Sequence, residues 1–274
     1  MIKPGEIQQK AREAGVRDQQ IEKDYILTWI LKGISQHERL SKALVFKGGT
    51  VLKKFYFVDY RYSEDLDFTL LDNSIPNEQI FECFKQTFEL VKEEANIPLE
   101  IINNNEHEDG GINFYISYTG PLGGQKTSRK IKVDISRGEK MEFKPVNRKA
   151  FNIYTDCDGF HLLCYPTEEI LIEKMRSVIQ RMQARDFYDI WYLLEENSVD
   201  IGFLMKEFKS KCTSKGIDSS IFPTKLSERI PQYKGRWQVS MNDQIKDLPE
   251  FDKVEREVQR NLNKLNFKTS SKTT

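Results

Sequence analysis

Histidine and cysteine are scarce in this chain. Its 274 residues include 3 His and 4 Cys. Cys83, Cys157, Cys164 and Cys212 form no C-x-x-C pair, which argues against a zinc site. Reduced, buried thiols are the expectation, as in a cytoplasmic protein. Net charge is also missing: 42 Lys and Arg balance 42 Asp and Glu. No global basic field therefore marks a nucleic-acid binder, and any RNA contact must come from local patches. No apolar run approaches the roughly 20 residues that span a bilayer. The first residues lack the pattern of a signal peptide, so the expected location is cytoplasmic, with no membrane partner. No internal repeat or long low-complexity segment is visible. The remainder is ordinary for a soluble protein, 31% charged and 38% hydrophobic. The length suits one large domain or two modest ones.

One stretch stands out against this background. Leu44-Val45-Phe46 is an apolar run that enters Gly48-Gly49-Thr50. A helix-like segment, Val51 to Tyr56, follows. Then Asp65-Leu66-Asp67-Phe68 heads a second apolar run. Alternate side chains of a strand share a face, so Asp65 and Asp67 point one way and Leu66 and Phe68 the other. Glycines allow backbone to approach a phosphate, and two carboxylates on one face can hold Mg²⁺. Taken singly, Gly-Gly-Thr reads as a turn and Asp-x-Asp as a solvated strand edge. The order strand, Gly-Gly-hydroxyl turn, helix, Asp-x-Asp strand is far more specific. The start of the helix would aim free amides at the same place, with Thr50 as its cap or as a phosphate ligand. Lys53 and Lys54, one turn in, are either within reach of phosphate or solvated.

Gly48-Gly49-Thr50 followed by Arg61-x-Ser63-x-Asp65-x-Asp67 resembles the motif of AbiEii/AbiGii-type nucleotidyltransferase toxins, distant members of the DNA polymerase β-like superfamily. The resemblance extends back to Glu22-Lys23-Asp24-Tyr25 and forward to Glu173-Lys174 and Arg185-Asp186-Phe187-Tyr188-Asp189. It covers most of the first two thirds of the chain. Thr50 replaces the serine common in polymerase β-like enzymes but keeps the hydroxyl.

Elsewhere the spacing predicts elements more than chemistry. Gln19 to Leu40 reads as one apolar-faced helix, with Glu22, Lys23 and Asp24 as a solvated insert. Asn77 to Asn96 is an amphipathic helix whose phenylalanines are core. Leu99 to Ile102 and Ile112 to Tyr118 read as strands joined by a polar turn. Gly120 to Gly124 breaks the chain in a loop. Ser128 to Ser136 alternates, with Ile131, Val133 and Ile135 on one face and Lys130, Lys132 and Asp134 on the other. Asp134 is either solvated or part of a site, since a buried unpaired carboxylate is costly. Short strands and turns are expected from Lys144 to Tyr165. Pro166-Thr167-Glu168-Glu169 starts a helix with Lys174, Arg181 and Arg185 on one polar stripe. A second helix begins near Asp186, where Asp186 and Asp189 also suit a first turn. Val199 to Lys211 and Phe251 to Leu265 read as helices, and Lys268 to Thr274 as a disordered tail.

The resemblance implies an α+β fold: a polymerase β-like nucleotidyltransferase core with a mixed sheet, an N-terminal helix and a helical C-terminal domain. The expected domains are 1–165 and 166–274. It implies transfer of a nucleoside monophosphate from an NTP to an RNA acceptor such as the 3′ end of tRNA, in a toxin–antitoxin or phage-defence system with a cognate antitoxin. Asp65, Asp67 and Asp134 would hold Mg²⁺, with Lys174 and Asp186 also catalytic. Gly48, Gly49, Thr50, Lys53, Ser63, Lys174 and Arg185 would bind the nucleotide. RNA would meet Lys126, Arg129, Lys130 and Lys132, or Arg176, Arg181 and Arg185. A protein hydroxyl as acceptor, or a nucleotide-binding regulator without catalysis, are the alternatives.

Overall fold

Alternating apolar residues dictate a sheet with one covered face. The computed structural model describes residues 1–123 and 129–263. Gly124, Lys126, Ser128 and the expected 268–274 tail lie outside the described residues. The elements run α1 (Pro4–Ala14), α2 (Asp18–Gln36), α3 (Glu38–Ala43), β1 (Leu44–Lys47), α4 (Gly48–Val51), a π-helical turn (Leu52–Tyr56), β2 (Leu66–Leu70), α5 (Asn77–Ala95), β3 (Leu99–Glu106), β4 (Ile112–Tyr118), β5 (Lys130–Ser136), β6 (Val146–Lys149) and β7 (His161–Cys164). Then come α6 (Thr167–Gln180), α7 (Ala184–Glu195), a 3₁₀ turn (Ile201–Leu204), α8 (Met205–Thr213), a second 3₁₀ turn (Ser219–Ile221), α9 (Phe222–Met241) and α10 (Phe251–Leu262).

The chain divides into two compact units. The first comprises Met1–Glu139, Pro145–Tyr165 and Asp243–Lys246; the second comprises Lys140–Lys144, Pro166–Asn242 and Asp247–Thr274. The first unit holds a seven-stranded mixed sheet in the order β3-β4-β5-β2-β1-β7-β6. β2 runs parallel to β5 and antiparallel to β1. Phe68, Val133, Ile135, Phe114 and Ile116 are buried on one face. Phe84 and Phe81 of α5 meet Phe114 edge-on at 5.0 and 5.4 Å between ring centroids, a favourable aromatic geometry that fixes α5 over the sheet. Asn96 closes α5 in the left-handed conformation, φ 54°, as helix ends commonly do.

Several boundaries differ from the sequence reading. The single helix expected over Gln19–Leu40 is two, broken at His37, whose ring accepts from the Leu40 amide. Glu22 and Asp24 are not a solvated insert but are 0% and 1% exposed. Asp24 is tied to Lys54 at 2.6 Å, and Lys54 also donates to Thr28 and Tyr154 to Asp24. Periodicity alone cannot show this, because the partners lie 30 and 130 residues away. β3 runs on to Glu106 past a bulge between Ile102 and Asn104. Thr167 does not cap α6.

The second unit is helical. Phe187 of α7 stacks on Tyr233 of α9 at 5.3 Å, and Trp237 donates to the Pro249 carbonyl. All four cysteines are buried and free. Burial pushes the Cys157 and Cys212 thiols up to about 11, which suppresses the reactive thiolate. No helix among the described residues is long and apolar enough to cross a membrane.

Candidate active site

The register of the sheet gathers the first group of expected residues. Lys47 on β1 pairs with Asp67 on β2, Asp67 with Asp134 on β5, and Asp134 with Asn113 on β4. Side chains at paired positions share a face, so these four form one polar row across four strands. Leu66, Phe68, Val133 and Ile135, at the alternate positions, are buried. Asp65, Asp67 and Asp134 are half-buried. Asp65 stands one residue before β2, two residues from Asp67 and therefore toward the same side.

The Gly-Gly turn lies against this row. Gly48 has φ 82° and a Cβ there would come 2.4 Å from Asp67 Oδ2. Only glycine accepts both the dihedral and the carboxylate. At Gly49 a Cβ would meet the Arg61 guanidinium at 2.6 Å and Ser63 Oγ at 3.3 Å. Arg61 is itself 1% exposed and donates to Gln244. Thr50 has a task other than capping: its hydroxyl donates to the Asp65 carbonyl at 2.6 Å. It ties the Gly-Gly turn to the start of β2 and so fixes where Asp65 stands. Lys53 is turned away from the row. It is 6% exposed, donates to the Val58 carbonyl, and lies 4.5 Å from the Tyr62 ring centroid. Burial lowers its pKa. It lies in the π-helical turn, where Leu52, Lys54 and Phe55 are buried as well.

A cation already stands among the carboxylates. Lys132 Nζ is 3.0 Å from Asp134 Oδ2. Burial disfavours its charge, but Asp134, then Asp67 and Asp65, outweigh this and raise its pKa above the ordinary lysine value. Among the described residues no group of three or more His, Cys, Asp or Glu is drawn together tightly enough to hold a metal ion. The donor set is nevertheless all oxygen and all carboxylate, which suits a hard ion such as Mg²⁺ rather than zinc. The ammonium of Lys132 on Asp134 shows that this carboxylate takes a cation. In donor type, though not in spacing, the residues fit the group.

The second group of expected residues is buried in the helical unit. Lys174 on α6 is 7% exposed rather than solvent-facing. Its ammonium lies 2.8 Å from Asp186 and 2.8 Å from Asp189, both 0% exposed. Arg181 reaches Asp186 at 2.9 Å. Burial alone would raise the Asp186 carboxyl, but Lys174 and Arg181 outweigh it and hold the pKa below the usual range. The expected cationic stripe is therefore replaced by an ion network, because α6 stops at Gln180 and Arg181 turns back onto α7. Arg176 is 8% exposed and lies 3.5 Å from Glu173. Arg185 is half-buried.

The sequence reading gives Lys47 and Asn113 no place in the site, and gives Lys132 one only as an RNA contact. Lys47 precedes the Gly-Gly turn, and Lys132 sits two residues before Asp134. Both carry the alternation signal of the strand faces, which is the only trace available without the pairing.

The fold is that of nucleotidyltransferases. It matches MenT4, a nucleotidyltransferase toxin from Mycobacterium tuberculosis, with a TM-score of 0.60 at 17% identity over 97% of this chain and 91% of that one. It also matches JHP933 from Helicobacter pylori, with a TM-score of 0.56 at 19% identity over 91% of this chain and 94% of that one. A putative nucleotidyltransferase from H. pylori gives a TM-score of 0.56 at 19% identity over 91% and 97% of the two chains. Comparison with curated proteins finds no significant match. The model of the nucleotidyl transferase AbiEii toxin family, a type IV toxin–antitoxin system, matches residues 29–257. The chain belongs to that family.

Proposed function

We propose that this nucleotidyltransferase toxin moves a nucleoside monophosphate from an NTP to a hydroxyl of an RNA acceptor, such as the 3′ end of tRNA. The acceptor oxygen bonds to the α-phosphorus. The bond from that phosphorus to the oxygen bridging to the β-phosphate breaks, and pyrophosphate leaves. The observation that supports this reading is the pairing of Asp67 with Asp134 on adjacent parallel strands beside Gly48.

Each residue has a role on this reading. Gly48 and Gly49 admit the β- and γ-phosphates close to backbone. Asp65, Asp67 and Asp134 would hold Mg²⁺, which when bound would offset the negative charge of the triphosphate and of the leaving group. Asp134 accepts the acceptor's proton. Thr50 and Ser63 support the turn, Thr50 through the Asp65 carbonyl. Lys174, held by Asp186 and Asp189, serves as the preset cation for the pyrophosphate, a task suited to a point charge. Arg185 contributes to nucleotide binding. Lys53 is better placed to support the fold than to bind phosphate. In the cell, the protein acts in the cytoplasm as the toxin of a toxin–antitoxin or phage-defence system and is neutralised by a cognate antitoxin.

The test is transfer of label from α-phosphorus-labelled NTPs, offered singly with Mg²⁺, to total RNA and to a cell lysate, followed by nuclease or protease. Nuclease-sensitive label is expected. Asp67→Asn should lower the rate about 10³-fold with the fold intact, since a neutral amide is a poor Mg²⁺ ligand. Protease-sensitive label would move the acceptor to a protein hydroxyl. An absence of label with every NTP would leave a nucleotide-binding regulator.

A further inference from the structure

The sheet face that carries Asp67 and Asp134 continues along β5 and β4 into a cleft of about 690 Å³. Asp65 and Lys132 line it, so it begins at the carboxylate row. The size lies within the range of small-ligand pockets.

Three observations define what the cleft can hold. The first is an aromatic face. Tyr115 is half-buried, lines the cleft and pairs across the sheet with Lys132. The ammonium of Lys130 lies 4.6 Å from its ring centroid. The second is an orphan donor. Gln20, 7% exposed, also lines the cleft, and its amide nitrogen meets no acceptor in the chain. A buried donor without a partner is costly, and a ligand acceptor would satisfy it. The third is charge. The cations are Arg17, Lys23, Arg129, Lys130 and Lys132, and the acids are Glu22, Glu64, Asp65 and Asp243, five against four. Arg17 meets Asp243 at 3.2 Å, Lys23 meets Glu64 at 2.6 Å, and Arg129 meets Glu22. Lys132 is held by Asp134 at 3.0 Å, which leaves Lys130 as the cation lining the cleft that meets no carboxylate among the described residues.

An aromatic face, an amide donor and one lysine without a carboxylate partner match one nucleotide of a single strand. A triphosphate brings several negative charges, whereas a phosphodiester link brings one. Lys130 alone matches the single charge of a phosphodiester, whereas the triphosphate would be met by Mg²⁺ at the carboxylate row, so the cleft suits the acceptor.

We propose that this cleft takes the terminal nucleotide of a single-stranded RNA acceptor, with its base stacked on Tyr115, its edge bonded by Gln20 and its phosphate at Lys130. The terminal ribose then comes up beside Asp65. This inference rests on the RNA-acceptor reading above and adds the subsite.

The experiment uses the full chain and two binding probes: a fluorescein-labelled single-stranded RNA hexamer, and a fluorescent ATP analogue with Mg²⁺. RNA labelling by the wild type is measured alongside. Tyr115→Ala should weaken hexamer binding about tenfold, the usual loss of one stacked base, and Tyr115→Phe should stay within about twofold. Nucleotide affinity should be unchanged in both. Gln20→Leu should weaken the hexamer about fivefold without lowering the melting temperature, because it replaces an unsatisfied buried amide with a side chain of similar size. A purely structural Gln20 would lose stability and keep affinity, which would overturn its assignment. Unchanged hexamer affinity in Tyr115→Ala, in a protein that labels RNA, overturns the subsite and leaves the acceptor standing. Loss of nucleotide affinity instead of hexamer affinity gives the cleft to the NTP and also overturns it. A wild type that neither binds hexamer nor labels RNA overturns the acceptor reading and the subsite with it.

Discussion

The two units treat paired carboxylates in opposite ways. Asp67 and Asp134 face one another across a parallel strand pair, half-exposed, with one ammonium beside Asp134. Asp186 and Asp189 are 0% exposed and share a buried lysine at 2.8 Å each. In the first case the carboxylates keep capacity for an exchangeable cation. In the second the counter-charge is built in, and the gain is a fixed position for that charge. Partly exposed carboxylates can exchange partners at little cost, whereas a buried ion that loses its partner retains the full desolvation penalty. The same residue type thus stands partly open to a cation in one unit and is closed around a built-in cation in the other.

The largest expected effect comes from breaking the closed network. Lys174→Met should cost about 3–5 kcal/mol, since it leaves two buried carboxylates without their lysine. Calorimetry or denaturant melts would read it. The triple variant Lys174→Met, Asp186→Leu, Asp189→Leu should recover most of that stability, because apolar replacement of a whole buried ion group is often neutral. If the recovered protein transfers label at the wild-type rate, the network has no part in catalysis and the contrast between the units sharpens into structure versus site. Gly48→Ala should lower transfer about 10²-fold and cost about 1–3 kcal/mol, since it forces a left-handed dihedral and pushes Asp67 aside. Wild-type activity in that variant would mean the carboxylate has room to move.

Acid titration distinguishes the units more gently. Asp186 has a folded pKa below its unfolded value of about 3.9. Its contribution to stability is therefore present above that value and lost as pH falls through the folded pKa. The melting temperature of the wild type should fall more steeply below about pH 4 than that of Asp186→Asn. Parallel curves would remove Asp186 from the charge balance. The smallest effect is at Lys132. Lys132→Gln should change stability by less than about 1 kcal/mol, as for a partly exposed ion pair. It should also lower the Mg²⁺ concentration for half-maximal transfer a few-fold by removing a competing cation. A higher requirement would mean that Lys132 helps hold the substrate instead.

Local patterns carried much of the fold and the strand-face placement of the candidate carboxylates. The Gly48-Gly49 turn and the alternation of Asp65, Asp67 and Asp134 were legible because strand periodicity has a period of two and glycine has a distinct steric role. The break at His37 and the π-helical turn that buries Lys53 and Lys54 were not, because both depend on hydrogen bonds that spacing does not encode. The burial of Glu22, Asp24 and Lys174 was missed for a related reason. A charged residue on a helix reads as solvated until its partner is known, and Asp24 finds Lys54 30 residues on. Lys174 finds Asp186 12 residues on, in the next helix. Lys47 and Lys132 stood in the sequence beside the motif, but only register puts Lys47 opposite Asp67.

The central claim is that Asp67 and Asp134 act as one unit in transfer. The direct measurement is a double-mutant cycle on NTP-dependent RNA labelling with Asp67→Asn, Asp134→Asn and the pair. Each single variant should fall about 10³-fold, and the double variant should fall little further, as residues of one catalytic unit do. Losses that multiply in the double variant, or a single variant that labels RNA at the wild-type rate, would contradict it.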